Sequence, residues 1–246
     1  MRFCLAVSVS FLSVTALAQD VEQKISDAIE SDARTEAEVD RDWDRSPLET
    51  LTFLELRDDM RVLELLPGGG WYTKILAPVL RENGALYVAI GTNNVSENLV
   101  SQPGFDHVEV VDIGVSMERT GPFNTSFMPP FEFGLDDLDM ALTFRNMHNF
   151  TPEGRANINT AVFNALKSGG LYGVVDHSRR HMEPMTGENR RRTDVVQIMK
   201  EVLAAGFEFV DYSDVHYRPD DELRYEVGRK TVTGNTDRFT LLFKKP

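Results

Sequence analysis

Hydrophobic positions along this chain fall into two kinds of run. Compact apolar stretches at Arg61–Leu66, Leu86–Ile90, Val108–Val111, Leu138–Phe144, Leu171–Asp176 and Phe207–Val215 have the length and composition of strands. Between them, apolar residues recur at helical spacing. Trp71–Arg81 turns Ile75, Leu76 and Leu80 inward, a helix capped by Thr151-Pro152 runs to Lys167 and stops at Gly169-Gly170, and Thr193–Ala205 ends at Gly206. The tail alternates in β fashion over Tyr225–Lys230 and Asp237–Phe243, around a turn signal at Gly234-Asn235. Upstream, Asp20 to about Asp44 is acidic and helix-prone, with Val21, Ile25, Ala28 and Ile29 on one face. Ser46-Pro47-Leu48-Glu49 has the form of a capping box and predicts a helix carrying Leu51, Phe53 and Leu54.

Strands and helices alternating at this spacing predict an α/β architecture: a Rossmann-like, doubly wound sheet, mostly parallel, with helices on both faces. The final two strands predict an antiparallel C-terminal strand closing one edge, and the acidic segment a helical N-terminal extension. Ligands of open sheets sit beyond the carboxyl ends of the strands, at the topological switch point. The places to search are therefore Glu64–Tyr72, Gly91–Asn94, Asp112-Ile113, Arg145–Asn149 and Asp176–Arg179.

Composition narrows the class. The 246 residues carry a formal net charge of −13, which repels phosphate backbones and anionic lipid and argues against a nucleic-acid partner. The one basic run, Arg190-Arg191-Arg192, reads as a solvated helix face. At the N-terminus a basic Arg2, an apolar stretch too short for a comfortable membrane span and the small-residue site Ala16-Leu17-Ala18 predict a cleavable secretory signal over residues 1–18. The expected organisation is then a signal, a helical extension over 19–45 and an α/β domain over 46–246. The product is exported to the periplasm or medium, with no stable membrane insertion after cleavage. Removing the signal removes Cys4, the single cysteine, and with it disulfides, thiol nucleophiles and cysteine-based zinc sites. His177 and His181 are four apart but lack the intervening glutamate of a zinc protease.

The sharpest motif is RVLELLPGGGWYT, Arg61 to Thr73. A strand ending in a carboxylate, then a glycine loop, then a helix lets backbone amides approach a ligand, with the helix N-terminus offering positive partial charge. Those glycines serve equally for close helix–strand packing. From Ser46 onward the arrangement resembles the class I S-adenosylmethionine-dependent methyltransferases. The string PGGGWYT, with Arg45-Ser46-Pro47-Leu48-Glu49-Thr50 upstream, looks like an exported methyltransferase-like subfamily.

The resemblance implies that S-adenosylmethionine is held by Glu64, Pro67, Gly68, Gly69, Gly70, Trp71 and Tyr72, with Asn93, Asp112, Ile113 and Asn146 from neighbouring strand ends. Two positions depart from the family pattern. Leu66 stands at the first glycine, and Gly91 replaces the acid that usually binds the ribose hydroxyls, leaving Asn93 or Asn94 to hydrogen-bond there. Asp112 suits either the adenine amino group or a turn cap. At the fourth strand end, Arg145 and His148 face the substrate, with His148 a base or a satisfied loop histidine. Asp176 and His177, adjacent on one strand, point to opposite faces, and either could face His148. The implied activity is methyl transfer to a small-molecule acceptor. The alternative is a non-catalytic exported binding protein that keeps the fold, with Trp71 and Tyr72 as stacking surfaces. A nicotinamide-dependent oxidoreductase is disfavoured, because Thr73 stands where its third glycine belongs.

Overall fold

The structure, a computed structural model, describes residues 20–246; the signal reading over 1–18 lies outside the described residues. Helix α1 spans 20–29, followed by the short helices α2 (Glu36–Val39), α3 (Asp42–Arg45) and α4 (Pro47–Phe53). The alternating part runs β1 (Arg61–Leu65), α5 (Thr73–Leu80), β2 (Ala85–Ala89), α6 (Asn93–Asn98), β3 (Glu109–Val111), β4 (Leu138–Phe144), α7 (Pro152–Ala165) and β5 (Leu166–Arg179). It closes with the two-residue β6 (Thr193–Asp194), α8 (Val195–Ala204), β7 (Glu208–Ser213) and β8 (Arg238–Lys244). No helix among the described residues is long and apolar enough to cross a membrane.

The sheet order is β3-β2-β1-β4-β5-β8-β7. Strands β1 to β5 pair in parallel, and β8 runs antiparallel between β5 and β7. The expected mixed sheet is present. Its reversed strand sits one place in from the edge, because β7 takes the edge itself. Chain order reverses direction at β1, whose neighbours are β2 and β4, and the switch point lies there. Register brings Leu65 level with Ala89 and Thr143, and Phe144 level with Val175, so the carboxyl ends line up along one rim.

Alternation along the strands divides the core in two. Val62, Val88, Met140 and Leu142 pack against α1, α4 and α5, through Ile25, Leu51, Leu54, Ile75 and Leu76. Leu63, Tyr87, Ala141 and Val174 pack against α7 and α8, through Ile158, Val162, Ile198 and Val202. The face predicted for α1 is the buried one: Val21, Ile25 and Ala28 are buried and Ile29 packs at the margin.

Three local expectations are corrected. Ser46 does not cap α4 with its side chain; it adopts a left-handed conformation (φ 39°) and donates its N–H to the Asp42 carbonyl at 2.7 Å, closing α3 instead. Tyr225–Lys230 is a series of turns, not a strand. Its groups are taken by the basic run upstream: Arg192 Nε donates to the Tyr225 carbonyl at 2.6 Å, and Arg191 pairs with Glu226. Nor is that basic run a solvated face, since Arg192 is 0% exposed and forms a two-bond ion pair with Asp221 at 2.8 and 3.0 Å.

Candidate functional site

The rim of the sheet is built from tight reversals. Leu66 after β1 (φ 52°), Ile90 after β2 (φ 64°) and Arg145 after β4 (φ 63°) all occupy the left-handed region without being glycine. Each such residue costs on the order of 1–3 kcal/mol and persists only where its surroundings over-determine it. Leu66 thus takes a left-handed backbone that favours glycine, with a side chain packed at the margin of the α7/α8 core.

A first cavity of about 730 Å³ opens beyond β1, β2 and β3. Gly68, Gly91, Asn93, Asn94 and Asp112 give it polar edges, and Ile90, Val111, Ile113, Met117 and Met128 give it apolar walls. The three glycines divide their labour. Gly68 (φ 59°) has open space where a Cβ would stand and faces the cavity. Gly70 (φ 83°) would put a Cβ 2.7 Å from Leu99 Cδ2, so it is the packing glycine, letting the α6 region close on the loop. Gly69 also has open space around it but does not line the cavity, and Pro67 closes the turn by accepting from the Gly70 N–H at 2.9 Å.

Asp112 is a turn cap, its Oδ1 accepting from the Gly114 N–H at 2.9 Å, and the residue also lines the cavity beside Ile113. No carboxylate stands at Gly91, so hydrogen bonding at the end of β2 falls to Asn93 and Asn94. Asn146 spends its amide nitrogen on the Leu65 and Leu66 carbonyls, both at 3.3 Å, stapling the ends of β4 and β1 together.

Glu64, Trp71 and Tyr72 do not line this cavity. Glu64 is buried behind the loop, accepting from Thr73 Oγ1 at 2.6 Å, and burial pushes its carboxyl up to about 7. Tyr72 stacks on Phe144 with ring centroids 3.6 Å apart. Trp71 lies under two guanidinium groups, Arg45 at 4.2 Å and Arg34 at 4.8 Å, and its Nε1 donates to the Glu38 carbonyl at 3.0 Å. The aromatic pair serves the core and clamps the N-terminal segment, rather than presenting stacking surfaces to a ligand.

A second cavity of about 320 Å³ lies farther along the rim, beyond β4 and β5. His148 and His177 stand in its wall with Arg41, Arg145, Asn149, Arg191, Thr236 and Arg238. Asp176 is the buried partner: one oxygen takes the His148 backbone N–H at 2.8 Å, the other the His148 Nδ1 at 2.6 Å and the His177 N–H at 2.7 Å. Of the two residues left open by the strand pattern, Asp176 is the one bonded to His148. With Nδ1–H directed at the carboxylate, Nε2 of His148 is the remaining ring nitrogen, free of that bond. His177 bonds Thr236 Oγ1 at 3.0 Å, and burial together with the nearby Arg238 holds it well below the usual histidine range, so it is neutral.

Arg41, Arg191, Thr236 and Arg238 join this wall from segments up to about two hundred residues apart, and apart from the basic run that holds Arg191 no motif in the sequence announces them. Among the described residues no group of three His, Cys, Asp or Glu side chains is arranged to hold a metal ion.

No protein-family model matches the sequence, and no curated relative does. Solved structures do match in shape. A SAM-dependent methyltransferase from Aquifex aeolicus superposes with a TM-score of 0.54 at 15% identity, covering 79% of this chain and 87% of that one. The glycopeptide N-methyltransferase MtfA, complexed with sinefungin, gives 0.51 at 12% identity, covering 80% of this chain and 84% of that one. The cyclase SpnF gives 0.52 at 17% identity, covering 82% of this chain and 80% of that one. The chain carries the fold of the SAM-dependent methyltransferases. The presence of a cyclase among these neighbours illustrates that a fold does not by itself fix a reaction.

Proposed function

We propose that this chain is an exported S-adenosylmethionine-dependent methyltransferase acting on a small-molecule acceptor. The observation that carries this reading is the pairing of two cavities on one rim: a larger one against the open Gly68 backbone at the switch point, and a smaller one holding the His148–Asp176 pair.

The residues of the first cavity fit an adenosyl group. Gly68 leaves room for close backbone approach, Asp112 offers an acceptor for an amino group, and Ile90, Ile113 and Met128 supply apolar walls. Asn93 and Asn94, in the same lining, offer hydrogen-bond partners for ribose hydroxyls. When bound, S-adenosylmethionine supplies an electrophilic methyl group on a sulfonium that departs as a thioether.

The remaining chemistry belongs to the protein. Asp176 fixes the orientation and tautomer of His148, as a carboxylate does for the histidine of a catalytic triad. His148 Nε2 can then take the proton of an acceptor hydroxyl or amine as its oxygen or nitrogen forms the new bond to carbon. Positioning supplies much of the remaining acceleration, because methyl transfer requires an in-line approach. Neutral His177 and Thr236 offer hydrogen bonds that orient the acceptor without competing for the proton.

Calorimetric titration of the chain lacking residues 1–18 with S-adenosylmethionine tests the reading. Micromolar binding supports it, and no heat at high micromolar ligand sinks it. A second reading, a non-catalytic exported receptor of the same fold, is favoured by one observation: Gly91 leaves the end of β2 without a carboxylate. Mass spectrometry of copurified ligand separates the two. The sulfonium or its demethylated product supports the enzyme, and an unrelated ligand supports the receptor.

A further inference from the structure

The second cavity has the opposite electrical character to the molecule around it. A chain of net charge −13 gathers four arginines, Arg41, Arg145, Arg191 and Arg238, in the wall of one small cavity, with Arg45 close behind. The carboxylates nearby are paired with other groups, although Asp44 keeps Oδ1 without a hydrogen-bond partner and its charge reaches Arg145 from a distance. Asp44 serves both Arg41 at 2.9 Å and Arg238 at 3.2 Å, Glu226 serves Arg191, and Asp176 is saturated by His148 and two backbone N–H groups.

Arg145 is left over. It has no ion pair and no side-chain hydrogen bond among the described residues, and its Nε is fully buried without a partner. Burial, then the neighbouring charge of Arg238, lowers its guanidinium to about 10, so it remains charged at neutral pH. Arg145 as a whole is half-buried, and a partly desolvated cation without a partner destabilises the protein that holds it. This one also sits on a left-handed backbone (φ 63°), so two separate strains converge on one residue facing a cavity. A guanidinium with its fork unengaged is suited to a planar, two-oxygen partner.

We propose that the second cavity binds a small oxyanion-bearing molecule, a carboxylate or a phosphate, whose anionic group completes the coordination of Arg145 and Arg238. Its identity as the methyl acceptor rests on the methyltransferase reading; the anion site itself does not. His148 Nε2 in the same wall places the acceptor's hydroxyl or amine at the other end of the same molecule. The first cavity shares no lining residue with the second, so the arginine group is not part of the adenosyl pocket.

The test uses benzoate, phenyl phosphate and the neutral isostere benzamide, titrated calorimetrically into the parent chain, Arg145→Gln and Arg191→Gln, each with S-adenosylmethionine as a parallel arm. One anion should bind at least about tenfold more tightly than benzamide, and which one does so distinguishes carboxylate from phosphate. Arg145→Gln should lower that affinity by about tenfold or more while changing S-adenosylmethionine affinity less than about threefold. It should also raise the melting temperature, because a half-buried charge without a carboxylate partner is gone. Arg191→Gln, whose side chain is nearly half exposed, provides a second variant in the same wall and should weaken the anion severalfold.

Equal binding of benzamide and the anions overturns the site, as does no anion binding at millimolar ligand. So does an Arg145→Gln variant that loses S-adenosylmethionine but keeps the anion, which would assign Arg145 to the cofactor carboxylate. Failure of the parent to bind S-adenosylmethionine, with anion binding intact, overturns the methyltransferase reading alone.

Discussion

Gly68 and Gly70, two residues apart in one loop, should answer the same substitution differently. Alanine at Gly70 meets Leu99 Cδ2 at 2.7 Å on a backbone of φ 83°, and the expected loss is about 2–3 kcal/mol in urea denaturation. Alanine at Gly68 meets nothing within 4 Å, so only the left-handed backbone is penalised, about 1 kcal/mol. Its methyl group, however, enters the first cavity, and S-adenosylmethionine affinity should fall about tenfold, with Gly70→Ala affecting affinity only through stability. Equal effects of both variants on affinity would remove the distinction. The sequence showed a glycine run suited either to a ligand or to packing; geometry leaves Gly68 open at a cavity and gives Gly70 to packing. The second cavity was legible only in part. Arg145 and His148 follow a strand whose end is predictable, whereas Arg41, Arg191 and Arg238 reach the same wall through tertiary folding that leaves no periodic trace.

At the scale of elements, the N-terminal segment is a structural part of the rim. Glu38 binds Lys74 at 2.8 Å and receives Trp71 Nε1, and Asp44 binds Arg238 of β8, 194 residues away. Periodicity disclosed the apolar face of α1 because burial of a helix face writes a repeat into the sequence. The docking of α2 and α3 is written instead in single ion pairs and guanidinium–indole contacts, which have no repeat. The same reason explains the failed strand at Tyr225–Lys230: Arg192 takes the Tyr225 carbonyl that a partner strand would have used, and Arg191 pairs with the Glu226 carboxylate. The capping-box signature at Ser46 lost to the need for a left-handed link between two helices. Asp44→Asn should cost about 3 kcal/mol in urea denaturation, because it leaves the buried Arg238 guanidinium without a carboxylate. Adding Arg238→Met to Asp44→Asn should recover part of that loss. An additive double variant would show that the pair does not couple the segment to the sheet.

For the whole molecule, buried groups on opposite schedules shape the dependence of stability on pH, with His177 acting in the same direction as His216. His216, enclosed between the Arg45 carbonyl at 2.9 Å and Thr240 Oγ1 at 2.7 Å, is lowered by burial from 6.5 to about 4. Between those values the unfolded chain binds a proton that the folded chain refuses, so stability rises with pH. Glu64 is raised by burial from 4.5 to about 7, so there the folded chain holds a proton that the unfolded chain has released, and stability falls as pH rises. From about pH 4.5 to 6.5 the His216 and Glu64 slopes, each about 1.4 kcal/mol per pH unit, oppose and nearly cancel. Glu64→Gln keeps an acceptor for Thr73 Oγ1 and removes only the titration. The variant should therefore gain on the parent by about 3 kcal/mol between pH 4.5 and 7.5, the gain levelling off above about 7. Urea denaturation of both proteins across that range measures the difference directly and cancels every group they share. A gain that does not change with pH would mean that Glu64 is solvated in the folded chain, and its place behind the glycine loop would have to be redrawn.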